Sequence, residues 1–298
     1  MITPPNIKIG DRIKIISTAR KITQAELDFG VEILSSWGLK VEYGDHLFAE
    51  DHQYAGNDDQ RTIDLQEALD DEGIKAVFCA RGGYGTARFI DQIDFSRFKK
   101  SPKWIVGYSD VTVLHCHLQK ILQTESLHAS MLINFKNNSE ESLSKLKSVL
   151  FGTQLSYDIK GNVLNRSGTT RNELIGGNLS ILYSLNGSRS FPDTKGKILF
   201  IEDLDEYLYH VDRMMMNLKR SGVLANISAL VVGGMTDMND NQVPFGKSAK
   251  EIIVDAVSEY DYPVCFDFPA GHLDDNRPLI LGRKATLDVS STSVQLSF

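Results

Sequence analysis

The stretch from Trp104 to Leu118 changes its hydrophobic period at a single glycine. Residues Trp104 to Val106 form a short apolar run that is typical of a buried strand. After Gly107 the apolar positions recur at intervals of three and four residues, which is the stripe of an amphipathic helix. The stretch therefore predicts a strand, a sharp turn and a helix.

Ser109 lies in that predicted turn, just before the first turn of the helix. A sharp turn lifts a hydroxyl clear of the sheet, and the N–H groups at the positive end of a helix dipole stabilise a developing oxyanion. Serine and aspartate are also preferred helix N-cap residues, and on spacing alone the cap is the favoured interpretation of Ser109 and Asp110. The segment lacks the second glycine of G-x-S-x-G and so does not match the α/β-hydrolase motif.

Strands and helices alternate along the first half of the chain. The apolar periods predict strands at residues 12–17, 40–43, 76–80 and 104–106, and helices at 23–37 and 58–70. The spacing Thr23-Gln-Ala-Glu26 is that of a capping box at the start of the first helix. This alternation predicts a parallel, doubly wound sheet with its functional groups at the carboxyl ends of the strands. The glycine-rich turn Arg81–Gly85 and Ser109 both follow such strand ends, and we expect them to lie side by side.

The chain becomes polar from Asn134 to Thr153, which marks a crossing between two domains. Irregular β-structure, further alternating strands and helices and a terminal hairpin follow. The expected fold class is α/β, with an N-terminal doubly wound parallel-sheet domain of the flavodoxin or Rossmann kind and a C-terminal α/β domain with additional β-structure. The predicted boundaries are 1–135 for the first domain, 136–154 for the crossing and 155–298 for the second domain.

Composition limits the partners and the compartment. Lys and Arg number 32 against 39 Asp and Glu, and the net charge of −7 without a basic run argues against nucleic acid and anionic membranes. No signal-peptide pattern and no apolar run of the ~18 residues that a membrane span needs are visible. The cysteines at positions 79, 116 and 265 lie far apart in apolar segments, as buried free thiols do. We therefore expect a cytoplasmic protein.

The sequence contains no complete nucleotide-binding or metal-binding motif. Gly246-Lys247-Ser248 is similar to the end of a P-loop, but the place of the first glycine is taken by Asn241. His115 and His117 lie two apart on one predicted helix and face different ways, so they cannot hold a metal together. We expect neither a metal nor an organic cofactor.

Ser109, Glu202 and His272 each come at the end of a predicted strand. A serine hydroxyl needs a general base within hydrogen-bond reach, and that imidazole needs a carboxylate to fix its tautomer. The chain order Ser, Glu, His occurs in other serine hydrolases. Glu202 could equally form an ion pair at the end of a strand, and His272 could be an ordinary turn histidine. A single sequence does not show whether the three residues are close in space, so both interpretations stay open.

Six short blocks follow one another along the chain between Gly10 and Val289. They are Ala80-Arg-Gly-Gly-Tyr-Gly-Thr-Ala-Arg88, Val106-Gly-Tyr-Ser-Asp-Val-Thr112, Gly176-Gly-Asn-Leu-Ser180, Leu199-Phe-Ile-Glu-Asp203, Val211-Asp-Arg-Met214 and Ala270-Gly-His272. In these blocks and in their order the chain resembles the serine LD-carboxypeptidases. This is the muramoyltetrapeptide carboxypeptidase family, which also includes the microcin C self-immunity proteins.

The resemblance implies an enzyme of cell-wall recycling that cleaves an L-to-D peptide bond and releases terminal D-alanine from a murein tetrapeptide. It implies that Ser109 is the nucleophile, His272 the general base and acid, and Glu202 the carboxylate that orients the histidine. It further implies that the backbone N–H groups of Gly83 and Asp110 form the oxyanion hole. Neither a metal nor a cofactor enters this chemistry.

Three features of the pocket are left open by the resemblance. Arg81, beside the glycine turn, either pairs with the substrate carboxylate or braces its own loop. The segment His128-Ala-Ser-Met131 stands where the family usually has His-Gly-Pro-Met, so the shape of that pocket wall is open. The turn Ser17-Thr-Ala-Arg20 replaces a more usual Ser-Pro-Ser.

We expect a small muropeptide as substrate and a homodimer as the assembly, with no nucleic-acid or membrane partner. Two alternatives stay open. One is a related hydrolase that cleaves peptidyl-nucleotide antibiotics of the microcin C type. The other is a catalytically silent binding module in which Ser109 is only a helix cap. The diamino acid preferred at the third position of the substrate cannot be told from the sequence.

Overall fold

Thirteen β-strands form two sheets in the computed structural model, which describes residues 1–298. The strands are β1 (Arg12–Ile16), β2 (Lys40–Tyr43), β3 (Ile74–Cys79), β4 (Trp104–Gly107), β5 (Ser126–His128), β6 (Ser156–Lys160), β7 (Gly168–Asn178), β8 (Ile198–Leu204), β9 (Ala229–Thr236), β10 (Val264–Cys265), β11 (Leu279–Leu281), β12 (Lys284–Val289) and β13 (Ser293–Ser297).

Nine α-helices connect and cover these strands. They are α1 (Gln24–Ser36), α2 (Asp58–Asp70), α3 (Ser96–Lys100), α4 (Thr112–His117), α5 (Glu140–Leu150), α6 (Leu179–Leu185), α7 (Leu208–Arg220), α8 (Val223–Asn226) and α9 (Ala249–Ala256). Helix α1 begins with the capping box that its sequence predicts, in which Glu26 accepts hydrogen bonds from the backbone and side chain of Thr23. None of the nine combines the length and the apolar content needed to cross a membrane.

The first sheet has six strands in the order β11-β5-β4-β3-β1-β2. Strands β1 to β5 run parallel to one another, whereas β11 is antiparallel to β5. The order of the five parallel strands is that of flavodoxin-like folds, so the predicted doubly wound sheet is confirmed. Strand β11 comes from the C-terminal part of the chain, beyond the predicted boundary at residue 155, because Leu279–Leu281 fills the open edge beside β5.

The second sheet has seven strands in the order β10-β9-β8-β7-β12-β13-β6. Strands β7 to β10 are parallel, and β12, β13 and β6 extend the sheet with antiparallel pairing. The predicted terminal hairpin is the β12–β13 pair. The α/β fold with additional β-structure in its C-terminal part is therefore confirmed.

Two clusters of buried apolar side chains each join the two sheets. Ile105 of β4 and Ile201 of β8 belong to the same buried cluster, together with Leu114 of α4 and Leu182 of α6. A hydrogen bond crosses the same interface, where the backbone N–H of Asn178 donates to Thr112 Oγ1 at 3.0 Å. The carboxyl end of β4 and the carboxyl ends of β7 and β8 are thereby held next to each other.

The helix predicted after Gly107 consists of three segments. A tight 3₁₀ turn at Ser109–Val111 leads into α4, and a wider π turn at Leu118–Leu122 ends it. The tight first turn follows from the backbone of Ser109, whose φ of 61° is left-handed and cannot begin a regular α-helix.

Candidate active site

Ser109 lies in a strained turn at the carboxyl edge of the first sheet. Its φ of 61° is uncommon for a residue other than glycine and costs free energy that the surrounding structure must offset. The side chain is half-buried and makes no capping hydrogen bond. Asp110 does not cap the helix either, because its buried carboxylate accepts hydrogen bonds from Thr86 N at 2.9 Å and Thr86 Oγ1 at 2.6 Å.

The glycine-rich turn after β3 lies directly against Ser109. A Cβ atom at Gly82 would lie 2.9 Å from Ser109 Cβ and 3.0 Å from Ser109 Oγ, so only glycine allows this approach. The next residue, Gly83, is exposed, and its N–H makes no hydrogen bond within the protein. The turn thus packs Gly82 against Ser109 and leaves the backbone N–H of the next residue without an acceptor in the protein.

Glu202 and His272 form a hydrogen-bonded pair at the edge of the second sheet. Glu202 lies within β8 and is completely buried. Its Oε2 lies 2.6 Å from His272 Nδ1 and accepts the backbone N–H of His272 at 3.2 Å. The close approach depends on Gly271, which has a φ of 107° and whose Cβ, if it had one, would lie 2.6 Å from the same oxygen.

The charges of the pair stabilise each other. Burial raises the pKa of Glu202, but the positive charge of His272 and its hydrogen bond outweigh burial and bring this pKa down to about 2. Burial lowers the pKa of His272, and the charge and hydrogen bond of Glu202 outweigh it, so this pKa lies above its ordinary value. Glu202 is therefore ionised at neutral pH, and its charge favours a protonated His272.

Asp203 follows Glu202 in the chain but serves different partners. The pairing of β8 with β9 shifts register between Ile201 and Asp203. The Asp203 carboxylate accepts hydrogen bonds from Asn178 Nδ2 at 2.8 Å and from the backbone N–H of Ser180 at 2.9 Å. Burial and the neighbouring charge of Glu202 raise the pKa of Asp203 to about 7. Of the two adjacent carboxylates, Glu202 alone is hydrogen-bonded to His272.

A cavity of about 320 Å³ brings the two edges together. It is lined by residues of both halves of the chain, namely Arg20, Gln53, Gly83, Tyr84, Ser109, Asn178, Ser180, Ile181, Asp203, Leu204, Asp205, Glu206 and His272. Ser109 and His272 share this cavity without a hydrogen bond between them, which is common in enzymes without substrate. No group of three or more His, Cys, Asp or Glu side chains has the geometry to hold a metal ion.

Arg81 is not among the residues that line the cavity. Its Nη1 donates to the carbonyl oxygen of Lys21 at 3.3 Å and lies 3.6 Å from Glu26 Oε1. These two contacts hold Arg81 against the start of α1. The structure thus brings Ser109, Gly83 and His272 into one cavity and leaves Arg81 outside it.

Three residues of the site were not singled out from the sequence as functional. The ring of Tyr108 packs on His272 with centroids 4.7 Å apart. His128 is completely buried, with Nε2 3.9 Å from Glu202 Oε1. Arg20 lines the cavity. The sequence nevertheless draws attention to each of them. Tyr108 belongs to one of the six blocks on which the family resemblance rests, and His128 and Arg20 belong to the two segments that differ from the family pattern.

The residues of the candidate site lie in two regions of the chain that match models of a known protein family. A model of the LD-carboxypeptidase N-terminal domain matches residues 13–129, and one of the LD-carboxypeptidase C-terminal domain matches residues 171–287. The chain is 32% identical over 292 residues to the probable murein peptide carboxypeptidase of Bacillus subtilis, with 96% of this chain and 92% of that protein covered. Ser109 lies in the first matched region, and Glu202 and His272 lie in the second.

Two solved structures are similar along almost the whole chain. The muramoyltetrapeptide carboxypeptidase from Oxalobacter formigenes has a TM-score of 0.88 at 29% identity, over 96% of this chain and 98% of that chain. The microcin C7 self immunity protein in complex with aspartyl sulfamoyl adenosine has a TM-score of 0.89 over 100% of this chain and 99% of that chain. Because the second is only 21% identical, its likeness concerns the fold alone.

Proposed function

The chain belongs to the LD-carboxypeptidase family, and from this premise we propose that it is a serine carboxypeptidase that releases the terminal D-alanine of a murein tetrapeptide. The proposal rests on one observation. Ser109 and His272 line the same cavity, and His272 is hydrogen-bonded to the buried carboxylate of Glu202. A hydroxyl, an imidazole and a carboxylate in this arrangement are the parts that acyl transfer through a serine requires.

In the first step, Ser109 Oγ attacks the carbonyl carbon of the L-to-D peptide bond, and His272 Nε2 takes the hydroxyl proton. Glu202 accepts the hydrogen bond from His272 Nδ1 and stabilises the imidazolium that forms. His272 then gives the proton to the amine of the departing D-alanine. The peptide stays on Ser109 as an ester.

The oxyanion of each tetrahedral intermediate is assigned to backbone donors. The N–H of Gly83 has no acceptor within the protein, and Gly83 lines the cavity that Ser109 also lines. The N–H of Asp110 follows the nucleophile in the chain, at the start of the 3₁₀ turn. Donors that are already oriented stabilise the developing charge without reorganisation.

Water completes the reaction. His272, again neutral, removes a proton from a water molecule that attacks the ester carbonyl, and the same proton then returns to Ser109 Oγ. The ring of Tyr108 packs on His272, with ring centroids 4.7 Å apart, and supports the imidazole from one side. The products are the shortened peptide and free D-alanine.

The proposed substrate is tested by incubating the purified protein with murein tetrapeptide and following the loss of one alanine by mass spectrometry. An isomer that ends in L-alanine is the matched control, because its methyl group would point into the cavity wall. We expect kcat/KM to favour the D isomer by tens-fold, about 2 kcal/mol. Equal rates on the two isomers would contradict the LD-carboxypeptidase proposal and leave a serine hydrolase of other specificity.

An aminoacyl-adenylate analogue distinguishes the microcin-type alternative in the same assay. Preferential cleavage of that analogue over the tetrapeptide would assign the cavity to peptidyl-nucleotide chemistry. Absence of turnover on both, with Ser109 unreactive toward a fluorophosphonate, would support the silent binding module. Each of the three functions expected from the sequence thus has a different outcome.

The cytoplasmic location, the role in cell-wall recycling and the homodimer are part of the same proposal. Three free, buried cysteines support a reducing compartment. Light scattering on the purified protein tests the homodimer, and twice the mass of one chain is the expected result.

A further inference from the structure

Arg20 is the one arginine or lysine side chain on the cavity that Ser109 and His272 share. It is exposed, and no carboxylate lies within 4.0 Å of its guanidinium group. We propose that Arg20 binds the terminal carboxylate of the substrate and so makes the enzyme a carboxypeptidase. This inference rests on the proposed function, which it deepens by naming the residue that recognises the chain end.

The stem of Arg20 is held against the glycine turn. Arg20 lies beyond the carboxyl end of β1, next to β3 in the sheet, and its backbone N–H donates to the carbonyl oxygen of Gly82 at 3.3 Å. A Cβ atom at Gly83 would overlap Cγ and Cδ of Arg20, so the aliphatic part of the side chain lies on the Gly83 backbone. The free donor of Gly83 and the guanidinium group are therefore neighbours on one wall of the cavity.

The same cavity carries two acidic side chains from the second half of the chain, Asp205 and Glu206. Each is held in place: Asp205 Oδ1 accepts a hydrogen bond from Asn239 at 2.7 Å, and Glu206 Oε2 lies 2.5 Å from His210 Nδ1. A substrate carboxylate is repelled by these two side chains and attracted to Arg20. The charges of the cavity thus orient a peptide with its carboxyl end toward Arg20.

The chemistry of the reaction calls for such a group. In a carboxypeptidase the terminal carboxylate is separated from the scissile carbonyl by a single residue, so its binding site must lie beside the oxyanion donors. Arg20 satisfies this through its contact with Gly83. A guanidinium group binds a carboxylate through two parallel hydrogen bonds, which fixes direction as well as charge.

Arg81, the other arginine near the glycine turn, does not meet these conditions. Its guanidinium group is engaged by Glu26 and by the carbonyl oxygen of Lys21, away from the cavity. Of the two roles left open by the sequence, the geometry points to the bracing of its loop. The two arginines therefore make opposite predictions in one assay.

The test compares the murein tetrapeptide with its C-terminal amide, which differs only in the charge at the chain end. In Arg20→Gln we expect kcat/KM on the acid to fall by ~30-fold or more, about 2 kcal/mol, with a change below ~3-fold on the amide. Arg20→Lys keeps the charge without the paired hydrogen bonds, so its loss on the acid is expected to be intermediate. Arg20 is exposed, and thermal unfolding of both variants checks that the fold is retained.

Two arginine variants serve as controls. Arg88→Gln removes the same charge from an exposed side chain that pairs with Asp58 outside the cavity, and the ratio of acid to amide should stay at the wild-type value. Arg81→Gln should also keep that ratio. The opposite result would assign the carboxylate site to Arg81. In that case the preference in kcat/KM for the acid over the amide would disappear in Arg81→Gln and persist in Arg20→Gln.

The remaining outcomes separate this inference from the proposed function. Equal losses on acid and amide in Arg20→Gln would show that Arg20 only shapes the loop, and would overturn the inference while the carboxypeptidase stands. A wild-type protein that releases no alanine from the tetrapeptide would refute the proposed function, and the inference with it.

Discussion

The two edges of the cavity are built by opposite physical means. On the first sheet, Ser109 is half-buried, lies in left-handed backbone and has no hydrogen bond to its side chain. On the second sheet, Glu202 lies inside a regular strand, is completely buried and is paired with His272 at 2.6 Å. Backbone strain therefore positions the first group, and burial with charge pairing positions the second.

This difference predicts how each edge responds to substitution. A half-buried hydroxyl without partners contributes little to the free energy of unfolding. A buried charge with a single strong partner contributes to folding as well as to chemistry, because removing one member leaves the other unpaired. Substitution of Ser109 should therefore lower activity without lowering stability, whereas substitution of Glu202 should lower both.

The largest effect is expected for Ser109→Ala. Because members of a catalytic triad act as a unit, kcat should fall by on the order of 10³-fold or more. The free energy of unfolding should change by less than ~1 kcal/mol, because the lost hydroxyl makes no hydrogen bond in the fold. Labelling by a fluorophosphonate should disappear in the same variant. Retention of a tenth of the wild-type turnover is incompatible with Ser109 as the nucleophile.

Glu202→Gln should lower kcat by about 10²- to 10³-fold, since the amide cannot stabilise the imidazolium of His272 as a carboxylate does. Unlike the serine variant, it should also lower the free energy of unfolding at pH 7, and urea titration measures this. A variant with full stability and low activity would break the comparison, because it would mean that burial of Glu202 makes no net contribution to folding.

Asp203→Asn sharpens the comparison by changing the neighbouring carboxylate. Asp203 accepts hydrogen bonds from Asn178 and Ser180, and an amide would turn one donor of its own toward them. We expect a loss of ~1–3 kcal/mol in the free energy of unfolding and a change in kcat below ~10-fold. If turnover collapsed here and survived in Glu202→Gln, the assignment of the two carboxylates would have to be exchanged.

The smallest effect concerns pH. The proposed mechanism requires neutral His272, and the charge of Glu202 raises the His272 pKa, so kcat/KM should fall with decreasing pH through a value above the ordinary histidine pKa. In Glu202→Gln that midpoint should move to lower pH, since the charge that favours the imidazolium is gone. A pH–rate profile of both proteins measures the shift. An unchanged midpoint would mean that His272 is not the titrating group.

Stability should depend on pH in the matching direction. The pKa of Glu202 is depressed to about 2 in the folded protein, so its contribution is present above the unfolded pKa of about 4.3 and is lost as pH falls through the folded value. His272 has a raised pKa, and its contribution is present at low pH and is lost as pH rises through the folded value. The pair is thus most stabilising in the window where Glu202 is ionised and His272 is protonated.

Local patterns were sufficient for the parts of the site that depend on local structure. The change of period at Gly107 predicts the strand and turn that carry Ser109, and the glycines after β3 predict the turn beside it, because strand ends of a parallel sheet meet at one edge. The capping box of α1 was likewise readable from Thr23 and Glu26. Each of these features is determined within about four residues of the chain.

Contacts between distant segments were not readable in the same way. His128 lies 3.9 Å from Glu202 although 74 positions separate them, and Leu279–Leu281 joins a sheet whose other strands all precede residue 130. Such pairings depend on how the two sheets pack, and a single sequence carries no measure of that distance. The hydrophobic pattern marks each segment as buried without naming its neighbour.

What the sequence by itself determined is therefore the α/β class, the order of the elements and the turn that presents Ser109, because hydrophobic period and glycine placement act over a few residues. The family resemblance implied Glu202 as the partner of His272, but local pattern did not separate it from Asp203, and only the tertiary structure placed Glu202 2.6 Å from His272 Nδ1 and Arg20 on the cavity. Glu202 and Asp203 are adjacent in the chain, and Arg20 and Arg81 each come a few residues after a buried strand of the first sheet, so their local patterns are alike. Their roles differ because the packing of the second sheet and of α1 gives each side chain different partners.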